Sequence, residues 1–467
     1  MNCKIFLFLV LVLQALQPAM GQTILTSPEP IASGLFGISV SIQGGTIVAS
    51  DNPLNGSNLR HVYAFKDTGG NWIQDGELEN PAQVANDDYG RSVSVDGDYA
   101  VVGASGVSGE QGKAYVFKRT GASTWNLEAT LSGSDVVAGD KFGTGVAISG
   151  TSLVVGAPAK NNGIGSAYVF NLAGGTWTEV AKLVPANAPN GRFGTWLTMH
   201  EGYIAVAAHQ REKVFVYKQA GNTWAQQALL EPPVADGSFG VNCSIFKDRL
   251  IVGALNDDEM GNNAGAVYVY KRTGDTWALE QKLFAEDAAA SKSFGGRIAL
   301  SEHYAVIGTL YEVFDVNGTD GSAYIFKRNG TTWTQMEKYN TPEFDYMGWY
   351  NAINGNTAVV GAYGADFDLD NSGAIYVYDL PAVVSANREV AVVDLAIYPN
   401  PASDFVRLDF PADSVPGSIT LLGQDGKVLQ VWPAGQHTIP IGHLTPGSYY
   451  FQVDLGKQTG IGSFTKL

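Results

Sequence analysis

The sequence predicts an all-β chain, and two observations predict it. Seven times an aromatic residue (once Met347 instead) precedes a glycine, and an alternating apolar run ending in small residues follows. The pairs are Phe36-Gly37, Tyr89-Gly90, Phe142-Gly143, Phe193-Gly194, Phe239-Gly240, Phe294-Gly295 and Met347-Gly348, and neighbours lie 53, 53, 51, 46, 55 and 53 residues apart. The second observation is composition: 56 glycines and only 16% charged residues suit many short strands joined by tight turns. A period of about fifty residues made of short strands marks repeats arranged in a ring, so the expected architecture is a seven-bladed β-propeller. At 467 residues the chain is too long for one ordinary core, and a second unit is expected.

In chain order, Met1 to Gly21 reads as a secretory signal peptide. Lys4 supplies the positive start, Ile5 to Leu13 the apolar stretch, and Ala19-Met20-Gly21 a small-x-small cleavage site. That apolar run is too short to span a bilayer. Cys3 lies inside it, which leaves Cys243 alone after processing, expected as a small buried side chain with no disulfide.

The propeller is expected over residues 22–381, and the third repeat shows its parts. Val146-Ala147-Ile148 alternates and stops at the turn Ser149-Gly150-Thr151; Leu153-Val154-Val155 runs into Gly156-Ala157-Pro158. Ala167-Tyr168-Val169-Phe170 makes a third strand and Trp177 to Leu183 a fourth. The aromatic of each pair is expected to wedge between neighbouring blades, with glycine allowing a tight backbone beside it. Trp72, Trp125, Trp177, Trp224, Trp277 and Trp333 recur at the start of the fourth strand and read as packing residues. In the seventh repeat Asp379-Leu380-Pro381 follows Tyr378 and no fourth strand arrives. Ile24-Leu25 precedes Phe36 by the spacing at which Leu78 precedes Tyr89, so the N-terminal strand is expected to complete the last blade and close the ring.

Phe142-Gly143 followed by Gly156-Ala157-Pro158 resembles the FG-GAP repeat of integrin α-subunit propellers and their bacterial relatives; Tyr89-Gly90 with Gly103-Ala104-Ser105 and Met347-Gly348 with Gly361-Ala362-Tyr363 are looser matches. Integrin repeats carry calcium loops between the first two strands. Here that link is a short turn such as Ser149-Gly150-Thr151, so those sites do not carry over.

After an expected linker over residues 382–392, the tail at 393–467 changes texture, with short runs such as Phe405 to Leu408 and Ile419 to Leu422 split by Gly, Pro and Asp turns. This predicts a small antiparallel β-sandwich. Its Tyr398-Pro399-Asn400-Pro401 opening, Asp425-Gly426 turn, Leu444-Thr445-Pro446-Gly447-Ser448-Tyr449 run and Lys466-Leu467 ending resemble a type A sorting domain of the type IX secretion system of Gram-negative bacteria. The resemblance implies engagement of that secretion machinery, and release from the cell or attachment to its outer surface.

A net charge of −16 repels phosphate backbones and argues against nucleic acid. Links between strands two and three, and between blades, are long and variable and share one face, the usual place for recognition on a rigid ring. The candidates there are Asp257, Asp258 and Glu259, then Asp315 and Asp320. Asp366, Asp368 and Asp370 alternate before Gly373 in a pattern that suits Ca²⁺, without the downstream glutamate of an EF-hand; a solvated acidic loop is the other interpretation. The six histidines are dispersed, with no zinc spacing, serine elbow or phosphate loop, so no catalytic residue is expected. The sequence therefore points to an exported, non-enzymatic propeller that binds a protein or a glycan. A polysaccharide hydrolase or lyase, and a structural surface component, are the alternatives.

Overall fold

Among the described residues the alternating runs of the repeats are strands. The computed structural model describes residues 21–52, 60–186, 190–221, 223–234, 238–309, 321–341, 345–381, 391–410, 418–423, 428–433, 436–454 and 458–467. The signal peptide up to Met20, Asp315, Asp320 and most of the expected linker lie outside the described residues. Two compact units result, residues 1–382 and 383–467.

In the first unit the described residues form seven four-stranded antiparallel sheets, one per repeat. In sheet three the strands are Val146–Ser149, Ser152–Ala157, Ser166–Ala173 and Thr176–Leu183, hydrogen-bonded in that order. The innermost strands of sheets one, two and four to seven are Ser39–Gln43, Tyr89–Asp96, Leu197–His200, Phe239–Phe246, Phe294–Leu300 and Met347–Asn354. Sheet seven takes its outermost strand from the other end of the chain: Gly21–Thr26 pairs antiparallel with Ala374–Asp379, Ile24 opposite Tyr376. Ser39–Gln43 packs against Tyr89–Asp96 on one side and against Met347–Asn354 on the other.

The recurring pairs act at the seams. Phe36, Phe142, Phe193, Phe239 and Phe294 are fully buried, and Phe142 meets Tyr168 and Phe170 edge-on at 5.6 and 6.3 Å. The glycine after each has φ between +77° and +97°, a region that side chains resist. The glycine near the end of strand two lies against the next sheet: a Cβ on Gly156 would overlap the carbonyl oxygen of Gly194, and one on Gly361 that of Gly37.

Each innermost strand is also a sheet edge, whose N–H groups lack a strand partner. Side chains of the preceding sheet supply acceptors. Val93 N and Val95 N donate to Ser39 Oγ and Ser41 Oγ at 3.2 and 3.1 Å, and Val146 N and Ile148 N to Ser92 Oγ and Ser94 Oγ, both at 3.1 Å. Glu201 N donates to Ser149 Oγ, Ile245 N to Thr198 Oγ1 and Leu300 N to Ser244 Oγ. Asn351 Nδ2 donates back to Arg297 O, and Gly44 N to Asn354 Oδ1 at 3.3 Å. The outer strands tie the seams through tryptophan: Trp125 Nε1 donates to Asp75 O at 3.1 Å, and Tyr99 meets Trp177 edge-on at 5.7 Å.

Cys243 is buried on the innermost strand of sheet five, where loss of water pushes its thiol up to about 12, so it is an inert packing residue. The second unit comprises a five-stranded and a three-stranded sheet around a core of Val406, Leu408, Ile419, Leu421, Phe451 and Val453. Its first strand, Ala391–Asp394, begins inside the segment expected as linker. It pairs parallel with Gln458–Lys466, so the unit is not wholly antiparallel.

Deleting Thr23 to Pro28 should strip the outer edge of sheet seven and lower the melting temperature by about 5 °C or more; an unchanged melt would show that the pairing contributes nothing. Gly156→Ala should destabilise far more than Gly150→Ala, whose site is open and where only the left-handed backbone costs about 1 kcal/mol. Equal melting temperatures for these two variants would contradict the seam packing.

Candidate binding face

The two ends of the barrel of inner strands differ. At one end the short turns lock onto each other: Gly150 N donates to Asp96 Oδ2 at 2.6 Å, and Lys247 pairs with Glu302 at 2.7 Å. The opposite end carries the longer links, including tight turns with left-handed backbone at Ser108–Glu110 and Asn161–Gly163 and a short 3-10 turn at His209–Arg211.

Between the inner strands lies a cavity of about 560 Å³. Strand register sets its wall in tiers. The middle tier is small and polar or methyl-sized, as with Ser41, Ser94, Ala147, Thr198, Ser244 and Ala352. In the tier nearest the long links, sheets one, two, three and five place Ser39, Ser92, Gly145 and Asn242, whereas sheets four, six and seven place Trp196, Arg297 and Tyr350. The Arg297 guanidinium sits 4.1 Å from the Trp196 ring, 4.8 Å from Tyr350 and 5.6 Å from Trp349. It is buried, so the cation is held against ring faces contributed by two other sheets. This cluster caps the cavity on the face that carries the variable links.

The acidic candidates fold their own loops. Asp257 is buried, pairs with Lys282 and accepts from Tyr268 Oη at 3.1 Å. Asp258 accepts from Asn263 N at 2.7 Å, and Glu259 pairs with Lys282 at 2.9 Å. Asp366 accepts from Asn371 N at 2.5 Å, while Asp368 and Asp370 are exposed. Among the described residues no group of three or more His, Cys, Asp or Glu side chains is placed to hold a metal ion, so the three alternating aspartates are not brought together. Sequence reasoning missed Trp196, Arg297 and Tyr350. Their signal was positional: each follows its aromatic-glycine pair by two residues, where four other repeats hold Ser, Gly or Asn.

A titratable cluster lies on the same face in sheet one. Asp51 is buried at the end of strand two and accepts from His61 N at 2.7 Å; His61 Nδ1 meets Glu77 Oε1 at 2.8 Å. Burial pushes the Asp51 carboxyl up to about 7, while the hydrogen bond to Glu77 raises His61 above its ordinary value. The cluster is tied to sheet two by Arg60 and Asp88, 2.9 Å apart.

The FG-GAP repeat family matches residues 72–117, 125–170, 224–270, 277–326 and 339–378, and the secretion system C-terminal sorting domain matches 396–465. No curated protein matches the sequence. Among solved structures, a Bacteroides uniformis protein described as a candidate 6-phosphogluconolactonase is similar at 12% identity and a TM-score of 0.51, over 69% of this chain and 90% of that one. PorZ of Porphyromonas gingivalis, a surface component of the type IX secretion system, is similar at 12% identity and a TM-score of 0.40, over 92% of this chain and 69% of that one. The WD40 β-propeller domain of Doa1 is similar at 9% identity and a TM-score of 0.46, over 77% of this chain and 97% of that one. At 12% identity the likeness to the Bacteroides uniformis protein concerns the fold alone.

The raised Asp51 pKa fixes a sign. From about pH 4 to about 7 the unfolded carboxyl has lost its proton and the folded one keeps it, so this residue's contribution to stability falls as pH rises. The His61 contribution, full below its ordinary pKa, is lost as pH passes its raised one, in the same direction. Asp51→Asn should therefore melt several degrees above the parent at pH 8 and alongside it near pH 4. A gap independent of pH would refute the buried, protonated Asp51.

Proposed function

We propose, from the premise that this chain carries five FG-GAP repeats and a secretion system C-terminal sorting domain, that it is a seven-bladed propeller closed by its N-terminal strand and acting outside the cell as a non-catalytic binding module for a protein or glycan. The sorting domain directs the chain through the type IX secretion system, to the cell surface or the medium. Among the described residues no helix is long and apolar enough to cross a membrane.

The closed ring is supported by the pairing of Gly21–Thr26 with Ala374–Asp379, and by contact of the inner strand Ser39–Gln43 with Met347–Asn354. Binding rests on one observation: on the face bearing the long links, large aromatic and cationic side chains (Trp196, Arg297, Tyr350) stand where four other repeats hold small ones. Large rings at a concave mouth on a rigid scaffold supply contact area at low entropic cost. Asp257 and Glu259 are paired with Lys282, which favours a loop-stabilising role for that acidic run.

The test is to probe a glycan array and an array of extracellular-matrix proteins with the full chain, alongside the Trp196→Ala/Tyr350→Ala double variant. Binding by the parent, at least about tenfold weaker in the variant with a comparable melt, is the expected result. Equal binding by both would move the site away from Trp196 and Tyr350, and release of reducing ends from a polysaccharide panel would replace the binding role with a hydrolytic one.

A further inference from the structure

The sheets present equivalent positions on this face: the residue before the wedging aromatic (Met347 in sheet seven), the residue after its glycine and, in every sheet but the sixth, where residue 310 lies outside the described residues, the first residue beyond the small residue that closes strand two. The backbone joins the first two in a turn, with Arg91 N donating to Asp88 O at 3.1 Å, Thr195 N to Arg192 O at 3.2 Å and Trp349 N to Tyr346 O at 3.3 Å. The third comes alongside: in sheet two Ser105 Oγ donates to Asp88 Oδ2 at 2.8 Å. The first position is left-handed in every sheet, with φ of 52° at Leu35, 56° at Asp88, 58° at Lys141, 53° at Arg192, 82° at Ser238, 52° at Ser293 and 52° at Tyr346. The fold therefore imposes this conformation whatever residue stands there, and the side chain is free to be chosen for another reason.

In sheets one to six these positions hold no Phe, Tyr or Trp: they read, for instance, Asp88, Arg91 and Ser105 in sheet two, and Lys141, Thr144 and Pro158 in sheet three. Sheet seven fills all three with rings. Tyr346 and Tyr363 stack at 4.7 Å with their planes 4° apart, and Trp349 stands at 78° to Tyr363 at 5.2 Å. All three are half-buried, unlike the wedging aromatics beneath them. The shelf is bordered by carboxylates. Asp345 precedes Tyr346, its carboxyl raised to about 6 by burial with Asp366 adding to the shift, and Asp366 itself is exposed.

We propose that Tyr346, Trp349 and Tyr363 form a shelf that binds a neutral pyranose oligosaccharide. Ring faces set at a right angle match the apolar C–H faces of a sugar and a neighbouring unit, and the flanking carboxylates accept hydrogen bonds from its hydroxyl groups. The same carboxylates, on a chain of net charge −16, disfavour uronates and sulfated glycans. A flat apolar protein partner would use the rings but not the acidic border.

This inference rests on the assignment of this face as the binding surface, and the experiment separates the two. The full chain is titrated with laminarin, cellohexaose and mannohexaose as neutral probes and with polygalacturonate as the acidic one, following tryptophan fluorescence and heat. Saturable binding of a neutral probe is expected, with Trp349→Ala and Tyr363→Ala each weakening it at least tenfold. The equivalent changes in sheet two, Arg91→Ala and Ser105→Ala, should leave it unchanged, and thermal melts confirm that all variants fold. Preference for polygalacturonate, or neutral binding indifferent to Trp349→Ala, overturns the shelf. Silence toward every glycan with matrix-protein binding that Trp196→Ala/Tyr350→Ala abolishes overturns the shelf and keeps the face. Silence toward all probes overturns both.

Discussion

At the axis every sheet stops at an edge, and an edge strand leaves backbone donors that must find acceptors other than a neighbouring strand. In this chain hydroxyl groups on one sheet accept those donors from the next, at Ser39, Ser41, Ser92, Ser94, Thr198 and Ser244. A serine can reach the adjacent strand only if the sheets approach closely, and glycines such as Gly156 and Gly361 permit that approach. Close approach in turn forces small side chains into the middle tier, and a cavity results. Large groups stand only toward the two ends: His200 and Phe246 near the short turns, and Trp196, Arg297 and Tyr350 where the inner strands open toward the long links. Donor satisfaction at the seam thus decides where Trp196, Arg297 and Tyr350 can stand.

The acidity of the molecule is partly spent within its own loops. A tyrosine of the third strand, an aspartate from a link and a lysine of the fourth strand recur as a knot: Tyr168, Asp135 and Lys182; Tyr268, Asp257 and Lys282; Tyr324, Asp287 and Lys338. The hydrogen bond from Lys182, with that from Tyr168, holds Asp135 down to about 2. Such carboxylates hold long links in fixed shapes, which a recognition surface requires more than it requires bare charge.

The strands and seams were legible because their signals are local. A wedging aromatic, a glycine at positive φ and period-two alternation each sit within a few residues, and the repeat multiplies them sevenfold. Six tryptophans in register were legible as packing for the same reason, and Trp125, Trp177, Trp277 and Trp333 are buried. The face was harder. Acidic runs such as Asp257-Asp258-Glu259 look available in sequence, yet whether a carboxylate turns back to cap its own loop depends on where Lys282 and Asn263 arrive. Arg297 gains meaning only from rings on sheets four and seven, and Tyr346 and Tyr363 meet only after strand two has folded back. Contacts of that kind emerge from register between repeats rather than from any single stretch of sequence.

The antiparallel pairing of Gly21 with Asp379 brings the start of the propeller beside its finish. A short bridge could join these two points, and a fresh opening cut in any other link would leave all of the sheets intact. The order in which the repeats are written along the gene is then a convention of synthesis, while the neighbour relations between sheets belong to the folded object. During synthesis, however, the leading strand has nothing to pair with until the last repeat emerges. The molecule must therefore carry one orphaned edge through most of its assembly.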